Sequence, residues 1–326
     1  MMISIRRTLT AAAAACIAAL PLRAAAQTDG VLDQSLYDYE AVEGVAGSIT
    51  SVGSDTMNNL MTFWAEQFMR FYPGVTVEIT GKGSSTAPPA LAEGQAQFGP
   101  MSRRMKSSEL DSFEARHGYK PTVLRTGIDC LAVFVHKDCP IDELTLDQIR
   151  AIFSTAGPEM TWGDLGVTDP RYRFRKITTY GRNSASGTYG YFKKIALDGD
   201  DFKPSVKEQP GSSSVVQAVG TDPFAMGYSG LGFQTQDVKP LAISVDDEEA
   251  VLPSAETAYS GEYAIARYLY VYVNKDPARA LDPLREEFVR LILSRQGQEA
   301  VLKDGYFPLS RGKADEQLGA MGLDPR

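Results

Sequence analysis

The sequence predicts an α/β protein of two lobes, each a mostly parallel sheet flanked by helices. Short β-like apolar runs alternate with amphipathic helical runs, which is the pattern of parallel sheets with helical connections. Several β-like runs end in loops rich in Ser, Thr and Gly. Two long apolar runs, residues 128–135 and 264–273, enclose an α/β set, so we expect the chain to cross to a second lobe and return.

The first 26 residues have the features of a secretory signal peptide. An Arg pair precedes an apolar run at residues 9–20, and three alanines at residues 24–26 supply a small-residue cleavage site. We therefore expect cleavage near Ala26 and a periplasmic location. Lipidation at Cys16 is a second possibility, but the alanines before it lack the usual branched residue.

Charge and composition exclude several classes of partner. The net charge is −8, and removal of residues 1–26, with three arginines and no acids, makes it −11. An acidic exported protein is a poor candidate for binding nucleic acid, so an anion site must be a local positive pocket. With two histidines and no ligand cluster at zinc spacing, we expect no metal and no cofactor. Export permits a disulfide between Cys130 and Cys139, provided that the chain turns between them.

Three β-like runs early in the chain each end in a hydroxyl-bearing loop that begins a helix. After a predicted N-terminal arm at residues 27–47, the runs are residues 48–52, 75–79 and 97–101, and their loops are GSDT (53–56), GKGSST (81–86) and SRR (102–104). Because the carboxyl ends of parallel strands meet at one edge of a sheet, the three loops should converge. GKGSST is not a nucleotide P-loop, since Lys82 precedes Gly rather than Ser or Thr.

The later part of the chain is predicted to form a second set of strands and helices. We expect helices at residues 146–153, 189–197 and 284–292 and one starting at residue 212, strands at residues 176–180, 224–228 and 238–243, and turns around Trp162.

The stretch GRNSASGTYGYF at residues 181–192 has the composition of an oxyanion site. It joins a predicted strand to a predicted helix and carries Arg182, Ser186, Gly187 and Thr188. A helix start exposes unpaired N–H groups at the positive end of the helix dipole, and Arg can grip two oxygens at once. The alternative is a simple helix cap beside a surface Arg.

These motifs together resemble one family over nearly the whole mature chain. They are GSDTM, GKGSST, the SR pair after Phe98-Gly99, LTLDQIRAIFSTAGPEMTW, RNSASGT and VVQAVGTDPFAMGY. The chain is similar to the phosphate-binding proteins of bacterial phosphate ABC transporters, in the periplasmic binding protein superfamily (a type 2-like fold). The resemblance implies inorganic phosphate as ligand, the membrane permease subunits of an ABC importer as partner, and a monomer without enzymatic activity. It implies two lobes, formed by residues 48–135 plus 268–326 and by residues 136–267, with the ligand in the cleft between them.

The resemblance also implies the site residues. Contacts to phosphate would come from Thr56, the Met57 backbone, Ser84, Arg182, Ser186, Gly187 and Thr188. Neighbours in the same loops complete the candidate site: Ser54, Asp55, Ser85, Ser102 and Arg103.

One position departs from the family pattern. Several family members have an Asp after the Ser of the third loop, where it accepts the proton of bound phosphate; here that residue is Arg103. Such a carboxylate would reject sulfate, which has no proton to donate. Asp55 is the nearest substitute, although it could equally cap the following helix.

Two other function classes compete with phosphate delivery. The same fold could bind or sense another oxyanion, such as sulfate or molybdate. A secreted phosphatase or other hydrolase would need a base beside its nucleophile, but His117 and His136 lie at the ends of elements. GRNSASG also misses the Gly-x-Ser-x-Gly spacing of hydrolases.

Overall fold

The computed structural model describes residues 31–246 and 248–325. The predicted signal peptide, its cleavage near Ala26, and Cys16 lie outside the described residues, as does the start of the predicted arm. No helix among the described residues is long and apolar enough to cross a membrane.

Strands and helices alternate along most of the described chain, which confirms the α/β prediction. The strands are β1 (Gly47–Val52), β2 (Val75–Thr80), β3 (Phe98–Met101), β4 (Thr122–His136), β5 (Glu143–Thr145), β6 (Thr178–Arg182), β7 (Lys207–Gln209), β8 (Ala225–Gly230), β9 (Val238–Pro240), β10 (Ala242–Ser244) and β11 (Ala266–Val273). The helices are α1 (Asn58–Phe71), α2 (Ala87–Ala92), α3 (Ser107–His117), α4 (Leu146–Phe153), α5 (Gly187–Ile195), α6 (Ser212–Thr221), α7 (Ala255–Ser260), α8 (Pro283–Leu293), α9 (Arg295–Lys303) and α10 (Arg311–Ala320).

One sheet runs through both lobes, in the order β2-β1-β3-β11-β4-β8-β6-β7, with β9 beside β4. At one end β1 pairs in parallel with β2 and β3, and at the other β6 pairs in parallel with β7 and β8. In the centre β11 is antiparallel to β3 and β4, and β4 is antiparallel to β8. This antiparallel centre arises because the chain leaves along β4 and returns along β11, the two long apolar runs of the sequence.

The first core packs α1 and α8–α10 against β1–β3, and a smaller cluster packs α2 and α3 against β3 and β11; we call this part of the protein lobe 1. Leu60, Trp64 and Phe68 form the predicted apolar stripe of α1 and are fully buried. Each such side chain contributes about 2 kcal/mol relative to exposure. The N-terminal arm packs here too, because the Tyr37 and Tyr39 rings join the same core.

The second core packs α4, α5 and α7 against β4, β5, β8 and β10, and a smaller cluster packs α6 against β4, β8 and β9; together with β6 and β7 beside β8, we call this part of the protein lobe 2. Phe192 of α5 stacks on Tyr228 of β8 with ring centroids 3.9 Å apart. Cys130 and Cys139 are separate thiols in this core, so the disulfide left open by the sequence is not formed in the structure. Burial raises the pKa of both thiols.

The cores meet along the two crossing strands. On β4, Leu124 packs in the core of lobe 1 and Ile128 in that of lobe 2; on β11, Leu269 packs in lobe 1, and Ile265, just before the strand, in lobe 2. The exact division of the chain between lobes at residues 135 and 268 stays a prediction.

Three stretches differ from the sequence predictions. The strand expected at residues 176–180 is Thr178–Arg182, and the next helix begins at Gly187 rather than residue 189. The strand extends because its last residues pair with β7, a short polar strand without apolar alternation. The strand expected at residues 238–243 is split into β9, which pairs with β4, and β10, which pairs with β5. Two helices, α9 and α10, follow the predicted C-terminal helix.

Candidate functional site

The ends of β1, β2 and β3 bring three serines together. Because these strands are parallel neighbours, their carboxyl ends coincide, and the loops place Ser54, Ser84 and Ser102 side by side. Ser54 donates to the Ser102 hydroxyl at 3.2 Å, and the Ser102 N–H donates to Ser84 Oγ at 3.0 Å. All three side chains are buried. The loops therefore converge as the sequence predicts.

Thr56 and Met57 complete the lobe 1 half of the site at the start of α1. The Thr56 carbonyl accepts a hydrogen bond from the Tyr306 hydroxyl at 2.6 Å, which fixes this loop. The Thr56 hydroxyl lies 3.0 Å from Thr188 Oγ1, so the two lobes touch here. The Met57 side chain is part of the lobe 1 core, which leaves its backbone as the group available to a ligand.

The lobe 2 half of the site lies at the start of α5. Ser186 Oγ accepts a hydrogen bond from the Thr188 N–H at 3.1 Å and caps the helix, which explains why the helix begins here. Capping uses a lone pair of Ser186, so its hydroxyl hydrogen remains available to an anion. The capping and anion-binding interpretations of this motif are therefore compatible.

Arg182 is the last residue of β6, and its side chain is only 1% exposed. It donates to Ser212 Oγ at 2.6 Å, to Asp55 Oδ2 at 3.0 Å and to the Pro210 carbonyl at 3.2 Å. Burial lowers the pKa of the guanidinium, while the charge of Asp55 opposes that shift. These contacts hold a desolvated positive charge beside the start of α5.

Asp55 reaches from lobe 1 to lobe 2. Its Oδ2 accepts from Arg182 and from the Ser212 N–H at 3.2 Å, at the N-terminus of α6. The carboxylate therefore bridges the lobes by an ion pair and a favourable contact with the helix dipole. Its role as acceptor of the phosphate proton stays a prediction. A cavity of about 490 Å³ opens beside it, lined also by Lys82 and Asn183.

Gly187 is required by the close approach of the two lobes. A Cβ at this position would lie 2.3 Å from Ser84 Oγ and 2.5 Å from Ser102 Oγ. Gly83 has φ +119°, and a Cβ there would lie 2.6 Å from the Ala185 carbonyl. The start of α5 thus packs directly onto the serines of lobe 1.

Arg103 and Ser85 lie at the margin of this cluster. Arg103 donates to both oxygens of Glu109, at 2.7 and 2.8 Å, and to Ser85 Oγ at 3.3 Å. Burial alone would raise the pKa of the Glu109 carboxyl, but the hydrogen bonds from Arg103 and Lys106 outweigh it and hold that pKa low. The Arg103 charge is therefore matched by a carboxylate of α3, and a phosphate contact from Arg103 or Ser85 stays a prediction.

The structure adds two residues that sequence reasoning missed. Arg267 of β11 donates to the Thr188 hydroxyl at 2.8 Å and to Asp129 Oδ2 of β4 at 2.7 Å. Both charged side chains are buried. Each long apolar run of the sequence contains a single charged residue, and buried charges need partners. This signal could have identified the two residues as a pair.

Comparisons of sequence place the chain among periplasmic-type binding proteins. The model of the PBP superfamily domain matches residues 39–296. A protein of Pseudomonas aeruginosa named phosphate-binding protein PstS is 49% identical over 306 residues, covering 92% of this chain and 94% of its own length. The PstS of Bacillus subtilis is 29% identical over 269 residues, covering 82% and 83%.

Solved structures share the fold. A substrate-binding protein of Clostridium perfringens, crystallised with bound phosphate, has a TM-score of 0.69 at 24% identity and covers 81% of this chain and 100% of its own. An ABC-type phosphate transport receptor of Vibrio cholerae has a TM-score of 0.64 at 22% identity, with coverage of 80% and 100%.

Proposed function

The chain belongs to the PBP superfamily and, within it, to the family of phosphate-binding proteins named PstS, and from this premise we propose that it binds inorganic phosphate and delivers it to an ABC importer. One observation carries the proposal. Buried donors from both lobes, the serine cluster of lobe 1 and the Arg182–Thr188 segment of lobe 2, meet at the start of α5. A tetrahedral anion is the ligand that suits such a set.

In the proposed complex the donors divide between the lobes. Thr56, the Met57 backbone and Ser84 would bind from lobe 1, with Ser54 and Ser102 behind them. Arg182 and the start of α5, with Ser186, Gly187 and Thr188, would bind from lobe 2. Because each lobe supplies part of the site, phosphate stabilises the form in which the lobes are in contact.

Location and partners follow from the family. We propose that the protein works in the periplasm as a monomer and meets the permease subunits of its importer there. The signal-peptide pattern of residues 1–26 and the acidic mature chain support this proposal.

A binding role rather than catalysis is supported by the surroundings of the hydroxyls. His117 Nε2 lies 2.9 Å from the Ala92 carbonyl, and His136 Nδ1 accepts from the Asp138 N–H. Among the described residues neither imidazole forms a hydrogen bond with Ser186 or Thr188, as a base that activates a hydroxyl nucleophile would.

Sulfate is the second candidate ligand, and one observation favours testing it. The carboxylates near the donors are engaged by arginines, as in Arg182–Asp55. A site without a dedicated proton acceptor discriminates less between hydrogen phosphate and sulfate.

Calorimetry of the mature chain with phosphate, arsenate, sulfate and molybdate tests the proposal. We expect phosphate to bind with a Kd of about 1 µM or tighter, corresponding to roughly −8 kcal/mol, and to bind more tightly than sulfate. The absence of phosphate binding would overturn the proposal. If sulfate bound more tightly than phosphate, sulfate would become the proposed ligand. Turnover of a chromogenic phosphate ester that disappears in Ser186→Ala would favour an enzyme.

A further inference from the structure

Arg267 and Asp129 form a buried ion pair on the two strands that connect the lobes. They are register partners of β11 and β4, and Asp129 Oδ2 accepts from Arg267 at 2.7 and 3.1 Å. The side chains are 2% and 0% exposed. Arg267 Nη1 and Asp129 Oδ1 are buried without a hydrogen-bond partner among the described residues.

A pair of this kind is a poor device for stability alone. Desolvation of both charges costs about as much as their attraction returns, and unpaired buried polar atoms add a further cost. Asp129 and Arg267 lie among apolar neighbours on their own strands, where apolar side chains would fit without this cost. Their position therefore calls for a role beyond packing.

Arg267 also contacts the first turns of α5. It donates to Thr188 Oγ1 at 2.8 Å, and its guanidinium lies 5.3 Å from the centre of the Tyr191 ring. Arg267 thus links a strand that crosses between the lobes to a helix start that carries ligand contacts. Its Nη2 donates both to Thr188 and to Asp129, so Asp129 fixes the nitrogen that contacts the helix.

Hydrogen-bond chemistry then excludes one direction for the Thr188 hydroxyl hydrogen. A guanidinium has only donors, and a hydroxyl has one donor and two acceptor positions. Arg267 therefore occupies an acceptor position of Thr188, and the Thr188 hydrogen must point elsewhere. The other neighbour of this hydroxyl is Thr56 Oγ1, 3.0 Å away across the cleft.

We propose that Arg267, held by Asp129, is a positioning residue that orients the Thr188 hydroxyl as a donor to the bound oxyanion. The inference rests on the proposed phosphate-binding function and deepens it. Arg267 acts through its hydrogen bond to Thr188 and through the electrostatic field of its charge. Arg182 remains the cation that contacts the phosphate. The two guanidiniums are near enough for the charge of Arg267 to lower the pKa of Arg182, so Asp129 also limits their repulsion.

A double-mutant cycle tests this coupling. Phosphate Kd is measured by calorimetry for the wild type, Arg267→Gln, Thr188→Val and the double variant. We expect each single change to weaken binding about 10- to 100-fold and the double variant to bind no more than about 3-fold weaker than the worse single variant. Multiplicative losses, or an unchanged Kd in Arg267→Gln, would overturn the inference.

Further variants separate positioning from folding. Arg267→Lys keeps the charge, but one ammonium cannot maintain the same paired geometry with Asp129 and Thr188, so we expect weaker phosphate binding with a normal unfolding transition. Wild-type affinity in this variant would also contradict the inference. Arg125→Gln, a partly exposed arginine of the same β4 strand that pairs with Glu316, is the matched control and should bind normally. If the wild type itself does not bind phosphate, the proposed function fails instead.

Discussion

The two halves of the site use different kinds of donor. Apart from Asp55, which reaches across to Arg182, the lobe 1 half consists of neutral hydroxyls and backbone groups at the ends of three short parallel strands, with Ser84 and Ser102 at its centre. The lobe 2 half contains Arg182, and behind it Arg267, each held by a carboxylate, Asp55 and Asp129 respectively.

This difference shows what each half depends on. Neutral hydrogen bonds weaken steeply beyond about 3.2 Å, so the lobe 1 half requires close contact with α5. A charge acts over a longer range, so the lobe 2 half requires its ion pairs to remain intact. We therefore expect a substitution that removes charge to affect mainly the lobe 2 half. A substitution that adds bulk between the lobes should affect mainly the contact of the lobe 1 half with α5.

Removal of the charge from the lobe 2 half should have the largest effect. We expect Arg182→Gln to weaken phosphate binding about 1,000-fold, or about 4 kcal/mol, because it removes the gripping cation and leaves Asp55 unpaired. Calorimetry measures the loss. Arg173→Gln, an exposed arginine of lobe 2, is the control and should leave the Kd unchanged. A loss below about 10-fold would show that the hydroxyl half dominates.

A substitution that moves the two halves of the site apart should weaken phosphate binding less than the loss of Arg182, but still strongly. In Gly187→Ala the new Cβ would meet Ser84 Oγ at 2.3 Å, so α5 must move away from lobe 1. We expect about 100-fold weaker phosphate binding, or about 3 kcal/mol, with little change in unfolding temperature. Gly312→Ala, where a Cβ meets nothing within 4 Å, is the matched control. Normal affinity in Gly187→Ala would mean that the lobe 1 half tolerates longer distances.

Much of the fold could be predicted because it follows from local patterns of apolar and polar residues. The apolar spacing of α1 and the helix at residues 146–153 reflect faces that pack on a core. The strand β7 could not be predicted, since it is three residues long and entirely polar. The split of the strand predicted at residues 238–243 into β9 and β10 could not be predicted either, because it depends on pairing with the distant strands β4 and β5.

The candidate site also contains residues that could be predicted from the sequence and residues that could not. Ser54, Ser84 and Ser102 follow strand ends, so a rule of sheet topology brings them together. Arg267 and Asp129 are 138 residues apart, and their pairing arises from the register of two strands, which no local motif encodes. The charge of Arg103 is paired in the structure with a carboxylate six residues away on α3, and its contact to phosphate stays a prediction.

A third test concerns a carboxyl buried beside the neutral half. Asp304 follows α9, two residues before Tyr306, which contacts Thr56. Burial, helped by the charge of Asp129, raises the pKa of Asp304 from 3.8 to about 7. Removal of this carboxyl from water favours the protonated acid.

The sign of the pH effect follows from linkage. Between pH 4 and 7 the unfolded chain ionises Asp304 while the folded protein keeps it protonated, so the free energy of unfolding falls as pH rises through this window. Asp304→Asn removes that fall. We expect it to match the wild type near pH 4 and to be more stable by about 2 kcal/mol at pH 8, a figure that allows for partial exposure. Denaturation in phosphate-free buffer measures both, because bound ligand would mask the difference. Asp111→Asn on the exposed face of α3 is the control, and parallel pH profiles for wild type and Asp304→Asn would show that the surroundings of lobe 1 donors accommodate a charge after all.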